Sequence, residues 1–391
     1  MNNPYIEKSF HKDSMLPLNI LCFSHLRWDF VYQRPQHLLS RFAREGQVFY
    51  FEEPIFSDEP SRLDVSRREG GLSILVPRLN SAEASNNVDE ILREMLDKFL
   101  DYEEIENFVA WYYTPMALGF TSHLKPLATV YDCMDELSAF KFAPPELRER
   151  EAKLFEKADV VFTGGQSLFE AKQLQHSNIH AMPSSIDVVH FAQARVMTDE
   201  PVDQRDIPAP KLGFCGVIDE RMDLDLLDKI SALRPSWHFV MIGPVVKIDE
   251  QSLPRRNNIH YLGGKSYQDL PQYIAGWDVA LLTFALNDST KFISPTKTPE
   301  YLAAGKPVVS TPIRDVVHPY YDEGLVYIAC TPEGFITAAE TAMQEHSAAK
   351  IEQADQFLSQ NSWEKTWTRV ANLIEDSIIK KQKTKSVAEG I

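Results

Sequence analysis

The stretch Ser294 to Ser310, SPTKTPEYLAAGKPVVS, decides how this chain is read. Ser294 and Pro295 suit a helix start, because serine caps backbone N–H groups and proline fits a first turn. Residues 296–304 then read as a short helix. Gly305 stops it, and Lys306-Pro307 leads into the apolar strand at Val308 and Val309. A helix N-terminus attracts anions through its free N–H groups and its dipole. Lys297 adds a full positive charge at that end, and Glu300 projects from the same face one turn on. Ser294, Thr296 and Lys297 could thus hold a diphosphate while Glu300 accepts hydrogen bonds from ribose hydroxyls. An ordinary αβ unit with surface lysine and glutamate explains the segment, taken alone, equally well.

With 391 residues the chain is too long for one typical domain and suits two. Hydrophobic residues make up 44% and charged residues 25%, ordinary values for a globular protein, and no apolar run is long enough to span a membrane. The first residues carry no apolar core and no small-residue cleavage site, so 1–17 read as a flexible lead-in rather than a secretion signal. Cys22, Cys133, Cys215 and Cys330 show no metal-ligand spacing and read as buried free thiols of a reducing compartment. A net charge of −16 argues against nucleic acid as a partner. The run from Lys380 to Lys385, KKQKTK, is basic; a solvated end of chain outweighs a lipid contact there, while leaving peripheral membrane association open.

Apolar runs alternate with amphipathic segments from residue 18 onward, the pattern of α/β domains built on parallel sheets. Strands are expected at 18–24, 48–51, 72–76, 108–112, 129–132, 160–163 and 179–182, and again at 211–215, 238–242, 259–261, 279–282 and 308–310. Between the two sets, 192–210 turns polar and proline-containing and reads as the linker. The expected division is a first domain over 18–195, a linker over 196–210, a second domain over 211–360 and a closing helix and tail over 361–391. In open parallel sheets, ligands bind beyond the carboxyl ends of the strands.

The loops at those ends carry the chemistry. After the first strand come His25, Arg27, Trp28, Asp29, Tyr32 and Arg34, more polar and aromatic groups than a turn requires. Trp28 and Tyr32 could stack on sugar faces, and Arg27 or Arg34 could pair with an acceptor phosphate. His37, one turn into the next helix, reads as structural. Asp132 and Asp135 end another strand and could bind sugar hydroxyls or act as a base, although Asp135 serves equally well as a helix cap. Gly213 and Gly216 let backbone N–H groups approach a phosphate, and Gly243 ends the following strand. Asp223 and Asp225 sit at a helix start, where capping explains them better than metal binding, so no metal is expected.

The string from Ser294 to Ser310 resembles the donor-site signature of GT-B nucleotide-sugar glycosyltransferases, in particular family four and the bacterial group 1 enzymes. Ser294, Pro295, Lys297, Glu300, Tyr301, Gly305, Lys306 and Pro307 match it. HLRWDFVYQRPQHLLSRFA resembles the N-terminal loop of a bacterial subgroup, and Ser362 to Lys365 resembles the closing segment, so the likeness runs from about 18 to 380. The resemblance implies two Rossmann-like domains facing each other across a cleft, with a C-terminal helix crossing back to the first domain. It implies a base pocket near Tyr267 and donor contacts near Thr290 and Lys291. The family's loop cations fall here at Val217 and Met222, leaving Arg221 to substitute; of the family's two glutamates Glu300 matches the second, and the first falls at Phe292.

The function so implied is metal-independent, cofactor-free transfer of a sugar from a nucleoside-diphosphate sugar to a glycan or lipid-linked glycan acceptor in cell-envelope or exopolysaccharide synthesis, in the cytoplasm or at the inner face of its membrane. Asp29 or Asp132 would be the base of an inverting reaction. A nucleotide-sugar epimerase, or a silent donor-binding scaffold, is the alternative.

Overall fold

The alternation of apolar runs and amphipathic segments folds as parallel strands joined by helical crossovers. A computed structural model describes residues 19–85 and 87–388. The expected lead-in, 1–17, and position 18 lie outside the described residues. The chain divides into two compact units at 130/131 and again at 376/377.

The first unit contains β1 (Asn19–Ser24), β2 (Val48–Glu52), β3 (Ile55–Ser57), β4 (Arg62–Arg67), β5 (Leu72–Asn80) and β6 (Phe108–Tyr112). β1 lies between β2 and β6, parallel to both, with Cys22 opposite Tyr50 and Trp111. β5 continues the sheet beyond β2, and β3 and β4 both pair with β5, β4 antiparallel. β2 and β6 are buried along their whole length, as expected of strands covered on both faces. The sequence order reverses direction at β1, so the loop after β1 stands at a topological switch point. The last turns of the helix Trp363–Ala388 belong to this unit, where Lys381 Nζ donates to the Pro126 carbonyl at 3.4 Å.

β7 (Ala128–Cys133) crosses the first division. Within the second unit, β8 (Val160–Thr163) pairs in parallel with β9 (Ile179–Ala181). The remaining strands are β10 (Lys211–Cys215), β11 (His238–Ile242), β12 (Ile259–Gly263), β13 (Val279–Leu282), β14 (Val308–Ser310) and β15 (Tyr327–Ile328). They form one parallel sheet in the order β12-β11-β10-β13-β14-β15. Alternate residues feed two cores: Phe239, Met241, Val279 and Leu281 on one face, Val240, Ile242, Ala280 and Leu282 on the other. Here the switch point falls between β10 and β13.

Several elements go beyond the sequence reading. β4 is charged and mostly exposed, an edge strand without an apolar face. The helix Ala348–Leu358 also escaped it. The polar run 192–210 packs closely against its own unit. Gln204 is fully buried, its Nε2 donating to the Tyr273 carbonyl at 2.8 Å and its Oε1 accepting from Trp277 Nε1 at 3.1 Å. Three cysteines are buried, but Cys330 is exposed, contrary to the expectation of four buried thiols. No helix among the described residues is long and apolar enough to cross a membrane.

Candidate active site

The donor motif sits at the switch point of the second sheet. Its helix is Lys297–Ala303, shorter than expected and starting past Ser294; no side chain caps it. Gly305 closes it with φ +73, and the Lys306 N–H reaches back to the Tyr301 carbonyl at 2.9 Å. Tyr301 is fully buried, and the Cys215 N–H at the end of β10 donates to its hydroxyl at 2.8 Å. This bond fixes the helix against the β10 loop.

Two glycines make the close fit possible. Gly216 has φ +154, and a Cβ there would lie 2.8 Å from Lys297 Cε. Gly243 has φ +147, and its Cβ would lie 1.8 Å from the Gly216 carbonyl oxygen. The Lys297 stem therefore lies directly over the Gly216 backbone. Lys297 Nζ makes a long contact, 3.4 Å, to Thr296 Oγ1. Burial pushes the Glu300 carboxyl up to about 7, against the opposing pull of Lys297 and the Thr296 hydroxyl. Burial first, then Glu300, pushes the Cys215 thiol up to about 12, which keeps it neutral and unreactive.

Other expected donor residues are occupied differently. Arg221 is held by Asp219, Nε to Oδ1 at 3.0 Å and Nη2 to Oδ2 at 2.7 Å, and its guanidinium lies 5.5 Å from the Phe140 ring centre. Tyr267 stacks on His190 at 4.3 Å. Lys291 Nζ lies 5.2 Å from the ring of Phe292, the residue at the family's acid position. Thr290 is buried and bonded within its own loop, accepting from the Asn287 N–H at 3.1 Å. Ser294 packs against Gly165, whose Cβ would lie 2.7 Å from that of Ser294.

The sequence reading picked out Asp135 at this strand end but not the ion cluster that holds its loop. Lys172 is buried and binds Glu136 at 2.7 Å and Glu151 at 2.8 Å, while Tyr131 donates to Glu151 at 2.8 Å. This buried cluster clamps the segment after β7. Asp135 is half-buried and close enough to Arg221 to favour its charged form. Phe140 lies between Arg221 and Lys247, the latter 5.2 Å from its ring centre. Asp132 has no exposed surface.

In the first unit the loop after β1 is a built structure. Glu52, almost fully buried, accepts from Arg27 Nη1 at 2.9 Å and from the Trp28 N–H at 2.8 Å. Arg27 also donates to the Glu53 carbonyl at 2.6 Å. Gln36 Nε2 donates to the carbonyls of Trp28 at 2.7 Å and Val31 at 3.0 Å. Trp28 packs edge-on against Tyr50, and Tyr32 edge-on against His37. Arg34 is buried at the start of its helix, and His25 is half-buried. Asp29 is exposed and pairs with Arg68 at 2.6 Å. Arg27 is thus a frame residue, while Asp29, Phe30 and Tyr32 are presented to solvent.

Residues 209–345, which span the second sheet from the start of β10 to the helix Pro332–Glu345, match the family model of the glycosyl transferases group 1. The chain is similar to a putative teichuronic acid biosynthesis glycosyltransferase, TuaH, of Bacillus subtilis, with 23% identity over 222 residues. That match covers 53% of this chain and 56% of the relative, so little more than half of the relative is spanned. Among solved structures, a sucrose-phosphate synthase of Thermosynechococcus elongatus matches with a TM-score of 0.71 at 12% identity, over 91% of this chain and 98% of that one. Anabaena HepE in complex with UDP and glucose matches with a TM-score of 0.65 at 13% identity, over 92% and 100%. At these identities the structural likeness establishes the GT-B fold: two parallel-sheet α/β domains.

Proposed function

We propose that this chain transfers a sugar from a nucleoside-diphosphate sugar to a glycan or lipid-linked glycan acceptor in the synthesis of an envelope or extracellular polysaccharide. The observation that supports it most is Lys297 lying over the glycine backbone at the switch point, with the half-buried Glu300, its pKa raised, beside it. In this reading Lys297 neutralises the leaving diphosphate, which needs no resident metal. Glu300 holds the ribose, and Gly216 and Gly243 let the nucleotide approach the backbone. Ser294, Thr296 and Lys291 complete the donor side. Uridine diphosphate is the first nucleotide to test, because a solved neighbour is described with UDP and glucose. The acceptor falls to the first domain, with Trp28 and Tyr32 stacking on sugar and Asp29 as base if the reaction inverts. The nucleotide sugar places the reaction in the cytoplasm, with peripheral attachment to the inner membrane face open to the basic C-terminal run.

Phe292 in place of the family's acid favours a second reading, a donor-binding scaffold without turnover. One experiment separates the two. The purified chain is titrated with UDP and then incubated with UDP-sugars and a polysaccharide-precursor extract, with and without chelator. Binding with acceptor-dependent UDP release, insensitive to chelator, is the expected result. Binding without release supports the scaffold, and absence of binding overturns the donor-site assignment.

A further inference from the structure

A cavity of about 230 Å³ opens beside Ser294 and Pro295 of the donor motif. It is lined by the segment from Met182 to Ile186, by Ser294, Pro295 and Pro299, and by the start of the C-terminal helix. Neither Lys297 nor Glu300 lines it. Its volume is below the range of about 300–1,000 Å³ typical of drug-sized ligands, so it suits a small molecule.

Its chemistry is one-sided. Lys365 and Arg369 supply positive charge, and none of its lining residues is acidic. The helix that begins at Trp363 runs 26 residues, and its first turns line the cavity, where Ser362 and Thr366 contribute hydroxyls. Lys365 Nζ is steadied by the Ser359 carbonyl at 3.0 Å, which sets its reach. The Arg369 charge acts on the neighbouring His180, lowering its pKa after burial has done so. Ser185 lines the cavity at 6% exposure, and its Oγ has no hydrogen-bond partner among the described residues. Buried hydroxyls normally find a partner, and one left open beside a polar cavity points to a ligand that supplies it. Ser184, Ser294 and Asn361 add further polar groups to the wall.

We infer that this cavity binds the phosphate monoester of a small polyol, the phosphate between Arg369 and Lys365 and the polyol hydroxyls against the serine wall. A guanidinium paired with an ammonium is a strong phosphate receptor. Ser294 is common to this wall and to the donor motif, so the ligand touches the back of the loop that carries Lys297.

The test uses the full chain and two probes, inorganic phosphate and glycerol 3-phosphate, each titrated calorimetrically. Both should bind, the ester more tightly. Arg369→Gln should weaken both at least tenfold, Lys365→Gln should weaken both, and Lys297→Ala should leave both unchanged. Arg369 and Lys365 are exposed, so each variant should melt like the parent without ligand; if one does not fold, the other decides. No binding of either probe at millimolar concentration overturns the inference. So does equal affinity in Arg369→Gln and parent. Loss of binding in Lys297→Ala places the anion at the donor site and overturns it too. An ester no tighter than free phosphate removes the polyol from the assignment.

Discussion

Replacing Glu300 with glutamine should stabilise the protein above pH 7 and at the same time weaken its hold on nucleotide. Folded, the Glu300 carboxyl titrates at about 7 because burial disfavours its charge; its ordinary value is 4.5. The folded value is raised, so between 4.5 and 7 the folded chain keeps a proton that the unfolded chain has released. Stability must therefore fall as pH rises through that window and level off above it. At about 1.4 kcal/mol per pH unit the whole effect reaches at most about 3 kcal/mol. Glutamine keeps the shape and removes the charge. Parent and variant should be equally stable near pH 4.5, with the variant ahead by up to about 3 kcal/mol at pH 8, as read from denaturant unfolding at both pH values.

Ligand binding gives the opposite sign. In the proposed reading ribose hydroxyls donate to the ionised carboxylate, so a bound nucleotide would favour ionisation and lower the titration point. UDP affinity in the parent should fall below pH 7 by about tenfold per pH unit, and binding at pH 6 should release a proton, visible as a buffer-dependent calorimetric enthalpy. The glutamine variant should show neither effect. A stability difference that does not change with pH, or a UDP affinity flat between pH 6 and 8, refutes the reasoning.

Lys297→Ala should cost about 1.5–3 kcal/mol of UDP affinity, measured by calorimetry, while the melting temperature stays put. Lys172→Met leaves the buried Glu151 and the half-buried Glu136 without their cation and should destabilise the protein by about 3–5 kcal/mol in urea unfolding. Asp29→Asn should depress turnover by about a hundredfold without changing UDP affinity. Its loss of the exposed Arg68 pair should hardly alter stability, so normal turnover in that variant would remove Asp29 as a base.

Sequence periodicity located most of the parallel strands because those strands are buried on both faces and read as continuous apolar runs. The β4 edge strand has no such face, and its charges disguised it. The loops were legible as places but not as structures. Arg27 looked like a ligand for phosphate, and its fate depended on Glu52, a residue distant in sequence whose burial no local pattern announces. The same holds for Lys172, which meets Glu136 and Glu151 from a different helix. Side-chain pairings across sequence distance are fixed by packing, and a single chain read along its length does not display them.

In the proposed reading, the choice of cation for a diphosphate follows from what each cation already does. Arg221 has given its fork to Asp219 and its face to Phe140. Lys306, though part of the motif, turns inward to the Ala275 carbonyl at 2.8 Å, and burial lowers its pKa. Lys291 and Lys247 lie over aromatic rings. To reach a phosphate, Arg221 would have to abandon a charge-assisted, bidentate pair with a buried carboxylate, which leaves that carboxylate uncompensated. Lys297 has a 3.4 Å contact to a hydroxyl to give up and a neighbour, Glu300, whose proton weakens their mutual attraction at neutral pH. The burial that raises Glu300 thus keeps Lys297 available, and in the proposed reading ionisation of Glu300 on ribose binding would restore the attraction. The two residues act as a pair: Lys297→Ala should also raise the Glu300 titration point further, shifting the pH at which UDP affinity falls to a value above that of the parent. An unshifted pH midpoint in Lys297→Ala would show that the two charges do not sense each other.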